Sequence, residues 1–136
     1  MTSTGETVLT STYLKRSGRL CWLLDGYSIS LKHDFEGGST YFVTLDEQIL
    51  SIEKGFAWDG PWPLPRFECA MRASLVHDAL YYMMRLGGLS WDRREWADGV
   101  FRALCLEDGM PPWLATVCYW AVRAFGGSKV GRVGVI

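Results

Sequence analysis

The chain has 136 residues, 49% of them hydrophobic and seven of them Trp, enough for a single domain over 1–136 whose core needs no disulfide or metal staples. Fourteen Lys and Arg stand against 15 Asp and Glu, and the net charge of -1 gives no electrostatic case for a nucleic-acid partner. Cys21, Cys69, Cys105 and Cys118 are widely spaced with no C-x-x-C pair, which points to free thiols in a reducing compartment rather than to zinc or disulfides.

The first six residues, Met1-Thr2-Ser3-Thr4-Gly5-Glu6, are polar and lack the basic-then-apolar order of a signal peptide, so secretion by that route is not expected. Residues 1–18 are rich in Ser, Thr and Gly and read as a loose arm. Residues 19–56 read as a small antiparallel sheet. Within it, Leu20-Cys21-Trp22-Leu23-Leu24 and Tyr27-Ser28-Ile29-Ser30-Leu31 flank Asp25-Gly26, a pair suited to a type I′ turn because both central residues need positive φ; a hairpin is predicted there. A looser turn over 34–38 leads into Tyr41-Phe42-Val43-Thr44-Leu45, then a bend at Asp46-Glu47 and a last extended run over 49–52. His33, beside the looser turn, is expected to be exposed and without function.

Residues 57–67 contain Pro61, Pro63 and Pro65, which withhold backbone donors and bias their predecessors to extended geometry. This is a stiff loop that delivers Asp59 and free carbonyls just ahead of the helical part. Three helices are predicted over 68–86, 91–107 and 112–125, with Ser90 capping the second and Gly126-Gly127 closing the third. The short link Gly87-Gly88-Leu89-Ser90 makes the first two antiparallel neighbours. The third is apolar on almost every face, as suits a core helix or one partly laid against a partner or a lipid surface. Its apolar stretch over 113–122 is far short of the roughly 20 residues that span a bilayer, so no transmembrane segment is expected. Residues 128–136 read as a tail. The fold class is therefore α+β: a small N-terminal antiparallel sheet followed by a three-helix part, over 68–127, with an antiparallel helix pair.

On a helix of 3.6 residues per turn, Ala70, Ala73, His77, Leu80 and Met84 share one stripe, so His77 looks inward. Tyr81 follows four residues later and stacks above it, while Asp78 is turned about 100° round the helix toward a different neighbour. On the next helix Trp91, Asp98 and Cys105 recur at seven-residue spacing beside Ala97, Phe101 and Leu104, which places Asp98 on an apolar face where a carboxylate needs a partner. The antiparallel pair brings the two together as a His77–Asp98 dyad, the acid fixing the ring tautomer and supporting the imidazolium when the base takes a proton. Asp59 and its carbonyl-rich loop, with Asp78, offer hard oxygen ligands of the kind calcium prefers, completed by water. The same His–Asp–Tyr cluster is equally a buried polar network that fixes a helix pair without catalysing anything.

Two resemblances attach to these residues. Gly55-Phe56-x-Trp58-Asp59-Gly60-Pro61, followed by Met71-Arg72-x-Ser74-Leu75-Val76-His77-Asp78-Ala79-Leu80-Tyr81 and an Ala97-Asp98-x-x-Phe101 helix, resembles an uncharacterised family of small proteins encoded by phages and prophages, over about 55–127. The Asp-Gly loop, the His-Asp-x-x-Tyr turn and the Asp on the following helix resemble the motif of bacterial phospholipases A2, across a third of the chain. That second resemblance implies His77 as general base, Asp98 as its partner, Tyr81 as the supporting phenol, Asp59 and Asp78 as calcium carboxylates and Gly60 as a carbonyl ligand.

Two functions follow as expectations. One is a phage-encoded, phospholipase A2-like hydrolase, calcium-assisted, acting on a phospholipid or another acyl ester, with Trp62, Trp91, Trp113 and Trp120 as an aromatic rim at the lipid surface. The other is a non-catalytic structural or host-interaction protein with a phage or host protein as partner. Either places the chain in the host cytoplasm during infection or on a virion.

Overall fold

The computed structural model of the protein describes residues 13–16, 20–61, 64–65 and 67–131. Its strands are β1 (Tyr13–Arg16), β2 (Leu20–Leu23), β3 (Tyr27–Ser30), β4 (Gly38–Ser39), β5 (Val43–Asp46), β6 (Ile49–Ile52) and β7 (Ala57–Trp58). They form two antiparallel sheets, ordered β1-β2-β7 and β3-β6-β5-β4. Period-two alternation decides which face is buried: Tyr27 and Ile29, Val43 and Leu45, and Leu50 and Ile52 point into the core, while Ser28, Ser30 and Asp46 face water. The register sets Ile29 and Leu45 either side of Leu50, and Tyr27 and Val43 either side of Ile52, giving two apolar rungs across the second sheet. Each aliphatic side chain in these rungs contributes roughly 1.5–3 kcal/mol by leaving water.

The hairpin expected across Asp25-Gly26 does not form. β2 pairs with β1 and β7, β3 pairs with β6, and neither Asp25 nor Gly26 has the positive φ that a type I′ turn requires. The free edge of β2 is taken instead by the segment entering β7, with Leu23 N donating to Phe56 O (2.9 Å) and Gly55 N to Leu23 O (2.8 Å). Asp25-Gly26 is thus the corner between the sheets. The bend at Asp46-Glu47 does make a hairpin, between β5 and β6, with Glu47 in the left-handed region at φ 56°. Residues 13–16, read as part of the loose arm, are a strand; the rest of that arm, 1–12 and 17–18, lies outside the described residues. His33 is not the exposed residue expected. It lies half-buried between Phe35 (ring centroids 4.3 Å apart) and Trp96 (5.7 Å), and its Nδ1 is the one buried side-chain polar atom without a partner among the described residues.

Three helices follow: α1 (Met71–Arg85), α2 (Arg94–Glu107) and α3 (Pro112–Gly131), with single 3₁₀ turns at Glu68–Ala70 and Trp91–Arg93 leading into the first two. α1 stops where Gly87 turns left-handed and Gly88 N returns to Met83 O (2.8 Å). Ser90 caps the next turn as expected, its hydroxyl accepting from Asp92 N at 3.1 Å. α2 stops at Asp108-Gly109 in the same manner as α1, with Met110 N bonded to Cys105 O (2.9 Å). α3 runs through Gly126-Gly127 to Gly131, past its predicted end.

The helix central to the core is α1, of which only Asp78, Tyr82 and Arg85 escape full burial, because it touches β5 on one side and α2 and α3 on others. α1 and α2 pack as an antiparallel pair. Arg72 near the start of α1 reaches past the end of α2 to Asp108, with Nε–Oδ2 at 3.1 Å and Nη2–Oδ1 at 2.9 Å, and also meets Glu107 and the Tyr27 hydroxyl. Later residues of α1 meet earlier residues of α2. Cys21, Cys69, Cys105 and Cys118 are thiols rather than disulfides, and burial pushes the Cys105 and Cys118 thiols up.

Candidate functional site

The inward stripe of α1 and the apolar face of α2 bring His77 and Asp98 together. His77 Nε2 lies 2.6 Å from Asp98 Oδ1, with His77 5% exposed and Asp98 wholly buried. The Tyr81 hydroxyl donates to the same oxygen at 2.6 Å, and its ring lies 4.3 Å from the imidazole, centroid to centroid. Phe101 closes another side of the ring at 5.2 Å. These three sequence-predicted residues therefore form one cluster.

Two arginines that the sequence reading passed over complete it. Arg123 of α3 donates from Nη1 to Asp98 Oδ2 at 2.8 Å. Arg94, at the start of α2, donates from Nε to the Tyr81 hydroxyl (3.1 Å) and caps α3 carbonyls at Val122 and Arg123. The signal for Arg123 was the demand itself: a carboxylate buried on an apolar face requires compensating donors. Gly126 was also missed in this role. A Cβ built there would lie 2.5 Å from the Tyr81 hydroxyl, so only glycine lets α3 come this close to a phenol held by both Asp98 and Arg94.

Charge compensation sets the protonation states. Burial works against the charged form of His77, but the carboxylates of Asp78 and Asp98 outweigh it and hold the imidazole above its usual range. Burial likewise favours a neutral Asp98, yet bonds from His77, Tyr81 and Arg123 keep it below the usual carboxylate range. Burial, reinforced by the Asp98 charge, pushes the Tyr81 phenol up, so Tyr81 is a donor throughout the ordinary pH range. With Nε2 engaged by Asp98, Nδ1 is the nitrogen left for chemistry. It faces Asp78, whose Oδ1 is 3.8 Å away, beyond hydrogen-bond length. Asp78 was expected to face elsewhere; the ring turns its second nitrogen toward it.

The expected metal ligands lie on the loop ahead of α1 and on α1 itself. Asp59 follows Trp58, whose indole Nε1 donates to Ser74 Oγ at 3.1 Å, so its loop is anchored one turn before His77 and Asp78. Gly60 is buried with φ 69°, and Asp59 is half-buried. Among the described residues no group of three or more His, Cys, Asp or Glu is gathered to hold an ion. Asp59 and Asp78 would be the carboxylates of a calcium site, with the Gly60 carbonyl, and water would supply most of the roughly six to eight oxygens that calcium takes.

Fold and site together define an α+β protein whose polar centre is a buried His–Asp–Tyr–Arg network carried on three helices. Residues 39–122 match the family described as "Protein of unknown function (DUF1353)", and the chain belongs to that family. The matched stretch runs from β4 to the residue before Arg123 and contains His77, Tyr81, Arg94 and Asp98. No curated protein and no solved structure matches the chain.

Proposed function

We propose that the protein is a hydrolase of acyl esters in which His77 is the general base. The observation that carries this reading is the bond from His77 Nε2 to the buried Asp98, which selects the tautomer with a lone pair on Nδ1. In that tautomer Nδ1 removes a proton from water as the water oxygen attacks the ester carbonyl carbon. Collapse of the tetrahedral intermediate breaks the bond to the leaving alkoxide, which takes the proton back from the imidazolium. Asp98 stays ionised throughout, held by Arg123 and Tyr81. Calcium bound by Asp59, Gly60 and Asp78 would supply electrophilic assistance to the carbonyl. Phospholipid is the substrate that the phospholipase A2 resemblance favours, and the phage resemblance is the ground for proposing that the protein acts during infection, in the host cytoplasm or on a virion.

The test is fatty-acid release from mixed phospholipid vesicles with and without calcium. His77→Ala and Asp98→Asn should each lower the rate by about a hundredfold or more. Because the base must be neutral and its pKa is raised, the rate should climb with pH through a midpoint above the ordinary imidazole value of about 6.5. Asp98→Asn should move that midpoint down. Background release by wild type under every condition would remove the hydrolase reading.

A second reading is favoured by the completeness of the network: Asp98 has donors on both oxygens and is wholly sealed. On that reading the cluster fixes the helix pair of a phage structural or host-interaction protein, and His77→Ala lowers the melting temperature with no activity to lose.

A further inference from the structure

Arg94 opens α2, one turn before Asp98 on the same face, and its guanidinium is shared between the two other helices. Nε donates to the Tyr81 hydroxyl of α1 at 3.1 Å, and Nη2 donates to the α3 carbonyls of Val122, at 3.4 Å, and Arg123. Both attachments lead to the same carboxylate. The Tyr81 hydroxyl donates to Asp98 Oδ1 at 2.6 Å, and Arg123 Nη1 donates to Asp98 Oδ2 at 2.8 Å. One side chain therefore holds both of the groups that, with His77, compensate the buried acid.

The bond to Tyr81 has a direction that rotation of the hydroxyl cannot reverse. A guanidinium has donors only, and an ionised carboxylate has acceptors only. A phenol set between them must accept from Arg94 and give its one proton to Asp98. His77 Nε2 meets the same Oδ1 at 2.6 Å. The order of donors is thus fixed from Arg94 through Tyr81 to Oδ1, and Oδ1 is kept turned toward the imidazole while Arg123 holds the other oxygen. A side chain without donors at position 94 would take this partner from the phenol oxygen of Tyr81, a residue with 0% exposure, and so loosen the chain of bonds at its first member.

We propose that Arg94 is a positioning residue of the His77–Asp98 dyad, acting through the Tyr81 hydroxyl to hold Asp98 Oδ1 against His77 Nε2. Its effect on a reaction rests on the reading of His77 as general base; its effect on the hydrogen bonds does not. Arg94 stands three hydrogen bonds from the imidazole and reaches it on the Nε2 side, away from Nδ1, so it touches no reacting atom. The competing role for the same bonds is a stitch that holds α3 to α2 and does nothing for the dyad.

The experiment compares wild type, Arg94→Met, Tyr81→Phe and the double variant, all as full chains. Methionine keeps an unbranched, helix-favouring stem and removes only the donors. In proton NMR spectra the Tyr81 hydroxyl and His77 Nε2 protons should exchange with water about tenfold or more faster in Arg94→Met than in wild type. The same variant should lower kcat for vesicle hydrolysis by about tenfold at unchanged KM, and should lower it little further once Tyr81 is Phe. A stitch alone would lower the melting temperature equally in both backgrounds and leave both protons and kcat where they were. Folded Arg94→Met with wild-type exchange at both protons overturns the proposal, as do losses in kcat that simply add. If Arg94→Met fails to fold, Tyr81→Phe decides, because it leaves the Arg94 bonds to α3 in place: the His77 Nε2 proton should again exchange about tenfold faster, and an unchanged rate overturns the proposal. Should wild type release no fatty acid, the hydrolase reading falls, and the exchange rates still decide whether Arg94 positions the pair.

Discussion

Asp98 accepts from His77 and Tyr81 on one oxygen and from Arg123 on the other, so a carboxylate with no exposure keeps its charge. Removing a buried ion from water costs several kcal/mol, which only such a set of donors offsets. The stability that results depends on pH in a direction that can be worked out. His77 has a raised folded pKa, so its contribution is complete below the unfolded value of about 6.5 and is lost as pH rises through the folded one. Asp98 has a lowered folded pKa, so its contribution is complete above the unfolded value of about 3.9 and is lost as pH falls through the folded one. The pair should therefore contribute most between about pH 4 and 6.5. Urea melts across that range should show a stability plateau that falls away on both sides, and Asp98→Asn should flatten it; parallel curves for the two proteins would mean the pair is not linked to folding. Both residues were legible because each interrupts an apolar stripe at helical spacing. Arg123 was not, because its partner lies 25 positions away on a different helix and its own helix reads as apolar.

At the scale of elements, the three helices and the β5–β6 hairpin were readable from periodicity, caps and turn residues, while the pairing of β2 and β3 was not. An Asp-Gly dipeptide is a local signal, and it lost to the pairings each flanking strand makes elsewhere, β3 with β6 and β2 with β1 and β7. The Gly126-Gly127 pair misled for a related reason. Glycine after an apolar run usually marks a helix end, yet Gly126 lies inside α3 because the Tyr81 hydroxyl occupies the space a side chain would need. Gly126→Ala should push either α3 or the phenol outward and cost about 1–3 kcal/mol, although alanine is the better helix former. Combining it with Tyr81→Phe, which removes the obstructing oxygen, should recover part of that loss in a thermal-melt double-mutant cycle. Additive losses would show that the close approach is not what glycine is there for.

Across the whole molecule, α1 is the element that every other layer uses. One side meets β5, its His77 and Tyr81 meet α2, and Gly126 of α3 sits on Tyr81. Arg72 extends the same arrangement to Tyr27 in the second sheet and to Asp108 beyond α2. A rod enclosed on nearly all sides by different neighbours cannot open without detaching each of them. Its backbone amides should then exchange with deuterated solvent only when the entire chain comes apart, more slowly than those of the β4 edge or the solvent-facing side of α3. Protection in the strands that outlasts α1 would contradict this. The consequence is that the two halves share α1 as a common wall: divided at the 3₁₀ turn before it, the sheets would lose their floor and the side of α1 that meets β5 would be bared to water, while His77 would keep Asp98 and Tyr81 beside it.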